Sequence, residues 1–290
     1  MKVKFWGVRG SIPTPGPETI KYGGNTTCLQ ITTDDGDLII LDAGTGIRAL
    51  ATHLPTKLSD PAHILISHTH WDHIHGLPFF SPLFVPGNRI KIYGGRDTNT
   101  GEGIERALNV QLQYCYFPII EAELKAEVQY LTVQAKQTFK IGSATITPHL
   151  MHHPVINFGY RIDCDGKSLF FTGDYEPLLN NFAPETTEFA NHQKMIERSE
   201  DELVQAICDI DALVIDSSYT LEEYANRHGW GHGTHQSSME LAKKAKAKKL
   251  YFTHHEPTRS DTELEAIAKN LKKDNSFEQF LAYEGLEILL

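Results

Sequence analysis

The sequence predicts an α/β chain of the four-layer αββα kind, with two β-sheets packed face to face and helices outside. Three observations lead there. Short apolar, β-branched runs come in two groups, each giving way to helical segments, which is not simple βαβ alternation. The runs end in polar turns loaded with histidine and aspartate. A chain of 290 residues, 40% hydrophobic, can bury the core of such a sandwich without disulfide or structural-metal support. No repeat, charge run or linker composition marks a boundary, so residues 1–290 are expected to form a single domain.

Along the chain, strands are expected at Val3–Val8, Cys28–Thr32, Leu38–Asp42, His63–Ser67 and Ile90–Tyr93. Further strands are expected at Thr145–Met151, Gly159–Ile162, Leu169–Thr172, Ala212–Asp216 and Leu250–Thr253. Asp34-Asp35-Gly36-Asp37 and Asp163-Cys164-Asp165-Gly166-Lys167 read as hairpin turns, since Asp-Gly tolerates the positive φ such turns need. Helices are expected over Glu102–Gln113, Asp201–Cys208 and Thr234–Ala247, the last with Thr234 as N-cap. Ser260-Asp261-Thr262-Glu263 is a capping box ahead of Leu264, Ile267 and Leu271. Ser11–Tyr22, rich in proline and glycine, reads as a surface excursion, and the polar, patternless Asn180–Glu200 as a loop.

Lys and Arg total 27 against 37 Asp and Glu, a net charge of −10. That balance argues against long nucleic acid and anionic membranes as partners, because phosphate binding rests on cationic surface. A small anionic substrate stays compatible if metal ions supply local positive charge. Cys28, Cys115, Cys164 and Cys208 are far apart and form no Cys-x-x-Cys pair, so neither a disulfide framework nor a cysteine zinc site is expected. The N-terminal residues show no signal-peptide apolar stretch, and no run reaches the roughly 20 apolar residues of a membrane span. A cytoplasmic location is the expectation.

Histidine is the outlier, at 15 residues. The densest cluster is His68-Thr69-His70-Trp71-Asp72-His73, directly after Ile64-Leu65-Ile66. In an extended segment the side chains of His68 and His70 point the same way, and Asp72 and His73 then turn into a short helix. Imidazole and carboxylate donors of this kind suit zinc, manganese or iron.

This His-x-His-x-Asp-His pattern resembles the signature of the metallo-β-lactamase superfamily. Leu41-Asp42-Ala43-Gly44 resembles the family's early Asp-x-Gly turn, which supports the metal loop. Met151-His152-His153-Pro154 with Phe158-Gly159-Tyr160-Arg161 is similar to the third-histidine segment of the ribonuclease Z-like branch, and the spacing from Gly159 favours His153 over His152. Phe171-Thr172-Gly173-Asp174 looks like the turn whose carboxylate bridges two ions. Phe252-Thr253-His254-His255 resembles the last-histidine segment, with His254 preferred to its neighbour His255.

The resemblance implies two divalent ions, zinc as first choice, with Mn2+ and Fe2+ also compatible. His68, His70, His153 and Asp174 would hold one. Asp72, His73, Asp174 and His254 would hold the other. A hydroxide between the ions would be the nucleophile, with Asp72 orienting it or protonating the leaving group. Gly231-His232-Gly233-Thr234 resembles the His-x-Thr element of ribonuclease Z and related phosphodiesterases. There the histidine approaches the scissile phosphate, which makes His232 catalytic and Thr234 a substrate contact.

The function so implied is a phosphodiesterase acting on a small phosphodiester, a cyclic nucleotide above all. Its rivals are a lactone or ester hydrolase, a ribonuclease, and a non-catalytic metal-binding protein. Ribonuclease Z usually carries a long basic arm for transfer RNA, whereas only the Asp163–Lys167 turn separates Arg161 from Leu169 here. Arg9 is a candidate for a substrate phosphate or for a structural salt bridge. Tyr114, Tyr116 and Phe117 suit core packing, base stacking or a dimer interface, and a homodimer is expected by analogy with the branch. His228 and His235 are expected at the surface, with lining a pocket as the alternative, and the Lys243–Lys249 run on a solvated helix face.

Overall fold

The computed structural model describes residues 1–97, 100–271 and 276–290. The first sheet is built from β1 (Lys2–Gly7), β2 (Cys28–Thr32), β3 (Leu38–Leu41), β4 (Ala62–Leu65), β5 (Arg89–Gly94) and β6 (Glu127–Thr132), with β14 (Glu287–Leu289) added beside β1. The second runs in order from β7 (Phe139–Ile141) through β8 (Ala144–Met151), β9 (Asn157–Cys164), β10 (Lys167–Phe171), β11 (Ala212–Asp216) and β12 (Lys249–Thr253) to β13 (Glu278–Leu281). Each sheet joins an antiparallel half to a parallel one: β3 to β6 are parallel in the first, β10 to β13 in the second.

Side-chain alternation explains the four layers. In β3, Ile39 and Leu41 enter the core between the sheets, while Ile40 faces the helical layer outside. In β11, Ala212 and Val214 face inward, while Leu213 and Ile215 meet helices on the other side. Helix α1 (Gly46–Thr52) and α3 (Ile104–Gln111) cover the first sheet, and α6 (His235–Lys244) and α7 (Asp261–Asn270) the second. Strands buried on both faces therefore read as continuous apolar runs, as they do here.

Local chemistry fixes the register. Between β9 and β10 the pair Cys164 and Lys167 closes a two-residue turn, with Asp165 at φ 57° and Gly166 at φ 70°. That is the left-handed pair of a type I′ turn. Ser260 and Glu263 form the expected capping box of α7, and Thr234 caps α6.

Several elements depart from the sequence expectation. Asn180–Glu200 is not a loop: α4 (Thr187–Ala206) occupies most of it, capped by Thr186, whose side chain accepts from the Phe189 amide. This helix has no buried residue, and only Leu203, Val204 and Ala206 near its C-terminal end rest on the core. Its half-buried face mixes Phe189, Ile196 and Leu203 with His192, Gln193 and Glu200, so polar residues interrupt the apolar stripe. Strands β6, β7, β13 and β14 and helices α1 and α5 (Leu221–Tyr224) are outside that expectation. These strands alternate between exposed and half-buried residues and are short or at an edge, so they lack a strong apolar signature. The Lys243–Lys249 run is a solvated helix face only at Lys243 and Lys244: α6 ends there, Ala245 and Ala247 are buried in the turn that follows, and Lys249 begins β12.

Candidate metal centre

The parallel halves deliver the chemistry. Asp42 follows β3, His68 follows β4, Asp174 follows β10, Asp216 ends β11 and His254 follows β12. His70 is the N-cap of the single turn α2 (Trp71–Ile74), which contains Asp72 and His73. His153 lies between β8 and β9. Strand ends fixed by two ladders thus converge on one cluster at the carboxyl ends of the parallel strands, the usual place for a site in such sheets.

The convergence is tight. His68, His70, His153 and Asp174 form one set, and Asp72, His73, Asp174 and His254 another, each with ligand atoms within 4.8 Å of one another. Asp174 belongs to both: its Oδ2 lies 3.4 Å from His68 Nε2, and its Oδ1 lies 3.1 Å from both His73 Nε2 and His254 Nε2. Of each histidine pair, the structure brings His153 and His254 to the cluster. His152 is exposed and bonds the Glu176 carbonyl at 2.7 Å, while His255 is buried elsewhere against the Ala282 carbonyl at 2.8 Å.

The donor set fits divalent cations. His68 Nε2, His73 Nε2 and Asp174 Oδ1 are buried without a hydrogen-bond partner, and all three point into the cluster. Leaving such groups unpaired is costly, and cation coordination satisfies them together. The opposite ring nitrogens are already occupied, which fixes each imidazole's orientation. His73 Nδ1 lies 2.7 Å from Asp42 Oδ2, and His153 Nδ1 lies 2.9 Å from the Gly231 carbonyl. Asp42 also accepts from the Ser67 amide at 2.7 Å and the Ser67 hydroxyl at 2.8 Å.

Part of the backbone strain lies in the same place. Asp42 (φ 59°) and His254 (φ 58°) are left-handed non-glycine residues, each costing about 1–3 kcal/mol that the surrounding bonds must offset. Gly173, also at positive φ, has no room for a side chain: a Cβ there would come within 2.6 Å of the Ser67 Cβ. The Thr-Gly-Asp turn can therefore press Asp174 against the metal loop only with glycine at its centre.

Charges oppose one another within the cluster. Burial alone would raise Asp174, but the facing imidazoles of His254, His73 and His68 outweigh it and hold the carboxyl well below its ordinary range. Burial would lower His73, yet Asp174, Asp72 and Asp42 raise it well above the ordinary value. Burial dominates at His68 and His153, lowering them to about 3 and about 4, so both are neutral donors at pH 7.

A further dyad stands beside the cluster. His232 Nδ1 lies 2.8 Å from Asp216 Oδ2, and its ring stacks on His254 at 4.7 Å. Burial lowers His232, but Asp216 and then Asp174 overcome that and raise it to about 9. Asp174, Asp216, His232 and His254 also lie close enough to form a third set, but the short hydrogen bond already occupies the His232–Asp216 pair. Asp216 escaped the sequence reading as a site residue. Its signal was its place at the end of an apolar strand, which Asp42 and Asp174 share. Glu176 also escaped: buried, it accepts from the Gly229 and Gly231 amides and the Tyr224 hydroxyl, and so fixes the loop carrying His232.

Other expectations need correction. Arg9 does not face the cluster. It is fully buried, with Nε donating to the Gly23 carbonyl at 2.8 Å and Nη1 to the Arg259 carbonyl at 2.6 Å, so it ties loops together. Thr234 is committed to its helix cap, accepting from the Ser237 amide at 3.0 Å. His235 is buried, not exposed, with Nδ1 against the Tyr219 carbonyl at 3.1 Å. Tyr114 and Tyr116 are exposed rather than in the core, whereas Phe117 packs edge-on against Phe79. Ser11, in the proline-rich excursion, donates its amide to Asp72 Oδ2 at 2.7 Å.

Fold and site together define an αββα protein with a histidine–aspartate cluster able to hold divalent metal ions. Residues 38–255 match the model of the Beta-lactamase superfamily domain, and the chain belongs to that family. A ribonuclease Z of Staphylococcus haemolyticus (strain JCSC1435) is 22% identical over 97% of this chain and 96% of its own length. The match to a ribonuclease Z of Staphylococcus aureus (strain MSSA476), at 26% identity, spans 56% of this chain and 49% of that protein, about half its length. Among solved structures, the metallo-beta-lactamase fold protein YhfI from Bacillus subtilis superposes with a TM-score of 0.69 at 20% identity, covering 99% of this chain and 98% of that one. The short form of human tRNase Z gives 0.68 at 18% identity, covering 100% and 99%. A diphosphatase from the PhnP family gives 0.66 at 20% identity, covering 100% and 97%.

Proposed function

We propose that this protein is a metal-dependent phosphodiesterase that hydrolyses a small phosphodiester, a cyclic nucleotide being the first choice. The observation that carries this reading is the His232–Asp216 dyad beside a cluster with two overlapping ligand sets. His68, His70, His153 and Asp174 would hold one ion, and Asp72, His73, Asp174 and His254 the other, with zinc the best match to these donors. When bound, the ions supply Lewis acidity, lowering the pKa of a coordinated water toward about 7 and neutralising phosphate charge.

The chain's own groups do the rest. Asp216 keeps His232 protonated near neutral pH, and the imidazolium stabilises charge developing on the phosphoryl oxygens or gives its proton to the leaving oxygen. Asp72, held by the Ser11 amide and His254, orients the attacking water. A phosphodiester already carries a negative charge that repels an anionic nucleophile, so a cationic group opposite the metals matters. A neutral lactone carbonyl has no such need, which disfavours ester hydrolysis. The ribonuclease Z names of the relatives keep RNA as the second reading. The two-residue Asp165-Gly166 turn and the net charge of −10 speak against long RNA.

We further propose that residues 1–290 act as one domain, in the cytoplasm and as a homodimer. The deciding assay measures turnover of cyclic mononucleotides, cyclic dinucleotides, short RNA and lactones by zinc-loaded protein. Cyclic nucleotide hydrolysis is the expected result. Robust lactone turnover without phosphodiester turnover would sink this function.

A further inference from the structure

The loop that delivers His232 also carries an arginine with unspent donors. Arg227 places its guanidinium 5.0 Å from the ring centroid of Tyr219 and 5.8 Å from that of Trp230. Among the described residues, no ion pair and no side-chain hydrogen bond engages it. Two aromatic faces orient the guanidinium while leaving its fork of N–H donors available.

The position is close to the chemistry. Tyr219 is buried, and its ring meets His232 edge-on at 6.0 Å, so one aromatic ring separates Arg227 from the imidazole assigned to the phosphate. Trp230 is 62% exposed and next to Gly231, whose carbonyl holds His153. The loop is fixed rather than loose. Glu176 accepts from the Gly229 amide at 2.8 Å and the Gly231 amide at 2.7 Å, and the Trp230 amide closes a turn onto the Arg227 carbonyl at 3.2 Å.

We propose that Trp230 and Arg227 form the subsite that receives the base of a nucleotide substrate, an inference that rests on the phosphodiesterase reading above. The indole offers a face for stacking, which any base accepts. The arginine fork selects among bases. Guanine presents two adjacent acceptors, O6 and N7, that match the fork, whereas adenine sets an N6 donor beside its N7 acceptor. The subsite therefore favours guanine nucleotides over adenine nucleotides.

The test uses zinc-loaded wild type, Arg227→Ala and Trp230→Ala with cyclic GMP, cyclic AMP and a base-free ribose cyclic phosphate. GMP is also titrated into the metal-free proteins and followed by tryptophan fluorescence. Wild type is expected to show its lowest KM with cyclic GMP. In Arg227→Ala that KM should rise on the order of tenfold more than the KM for the base-free compound. Trp230→Ala should weaken both base-bearing substrates and remove most of the quenching by GMP. A wild-type KM independent of the base, or GMP titrations that superimpose for wild type and Arg227→Ala, overturns the subsite. If no phosphodiester is hydrolysed the phosphodiesterase reading falls, and the GMP titration alone then decides the subsite. Both side chains lie outside the core, and circular dichroism of the variants checks that they fold.

Discussion

At the residue scale, Asp174 holds the two ligand sets together. Removing its carboxylate takes a donor from each set and leaves His73 and His254 with Asp72 alone as a shared carboxylate. Asp174→Ala is expected to lose most bound metal, read by elemental analysis, together with turnover. His153→Ala and His254→Ala should damage loading more than His152→Ala or His255→Ala, and the opposite order would reject the assigned donors. His232 makes a separate prediction, because it sits against Asp216 rather than in either main ligand set. His232→Ala should retain metal while turnover falls by about 10²–10⁴. The pH profile carries the sign. Asp216 raises His232 from the ordinary 6.5 to about 9, so the cationic form is present below that value and is lost as pH rises through it. The wild-type rate should therefore fall in the alkaline limb near pH 9. Asp216→Asn should move that limb toward 6.5, and an unmoved limb would assign it to another group.

At the element scale, the cap of α6 has two tasks. Thr234 satisfies the first turn of the helix, and the same backbone carries His232 two residues earlier. Thr234→Ala should lower stability by about 1 kcal/mol in denaturant unfolding, the usual cost of losing an N-cap. Its metal content should stay near that of wild type. Helix α4 stands at the other extreme. With no buried residue it gains little from packing, so its amides should exchange far faster than those of β11, which is buried along its whole length. Equal protection of the two would mean that α4 is held by something more than its half-buried face.

At the scale of the whole molecule, buried neutral histidines link folding to pH. His235 is almost fully buried, and desolvation lowers it to about 4 from 6.5. Below pH 6.5 the unfolded chain takes up a proton that the folded chain refuses. Stability is therefore complete above 6.5 and is lost as pH falls toward 4. The slope is about 1.4 kcal/mol per pH unit for this one group. The thermal midpoint of wild type should drop over that window, and His235→Gln should flatten the drop. Oligomeric state is the other molecular property at issue. The exposed Tyr114 and Tyr116 give a dimer an aromatic surface to cover, and light scattering that returned 32.6 kDa at micromolar concentration would contradict the homodimer.

The sequence by itself determined the strand-ending motifs, because they are local. Apolar runs such as Ile64-Leu65-Ile66 specify buried strands, and the polar residues directly after them must emerge at strand ends, whatever the packing. That is why His68, His70, Asp72, His73 and Asp174 were legible, and why the family resemblance could be read from them. The Asp-Gly turn and the Ser260 capping box were legible for the same reason, since each is complete within a few residues. Tertiary structure alone decided what depends on distance across the fold. Asp216 became His232's partner only when β11 ran beside β10 and carried it to the same edge as Asp174. Arg9 was drawn into backbone carbonyls from segments some 250 positions away, so no local pattern distinguished it from a phosphate ligand. The edge strands stayed hidden because they bury little, and helix α4 because polar residues interrupt the stripe of Phe189, Ile196 and Leu203.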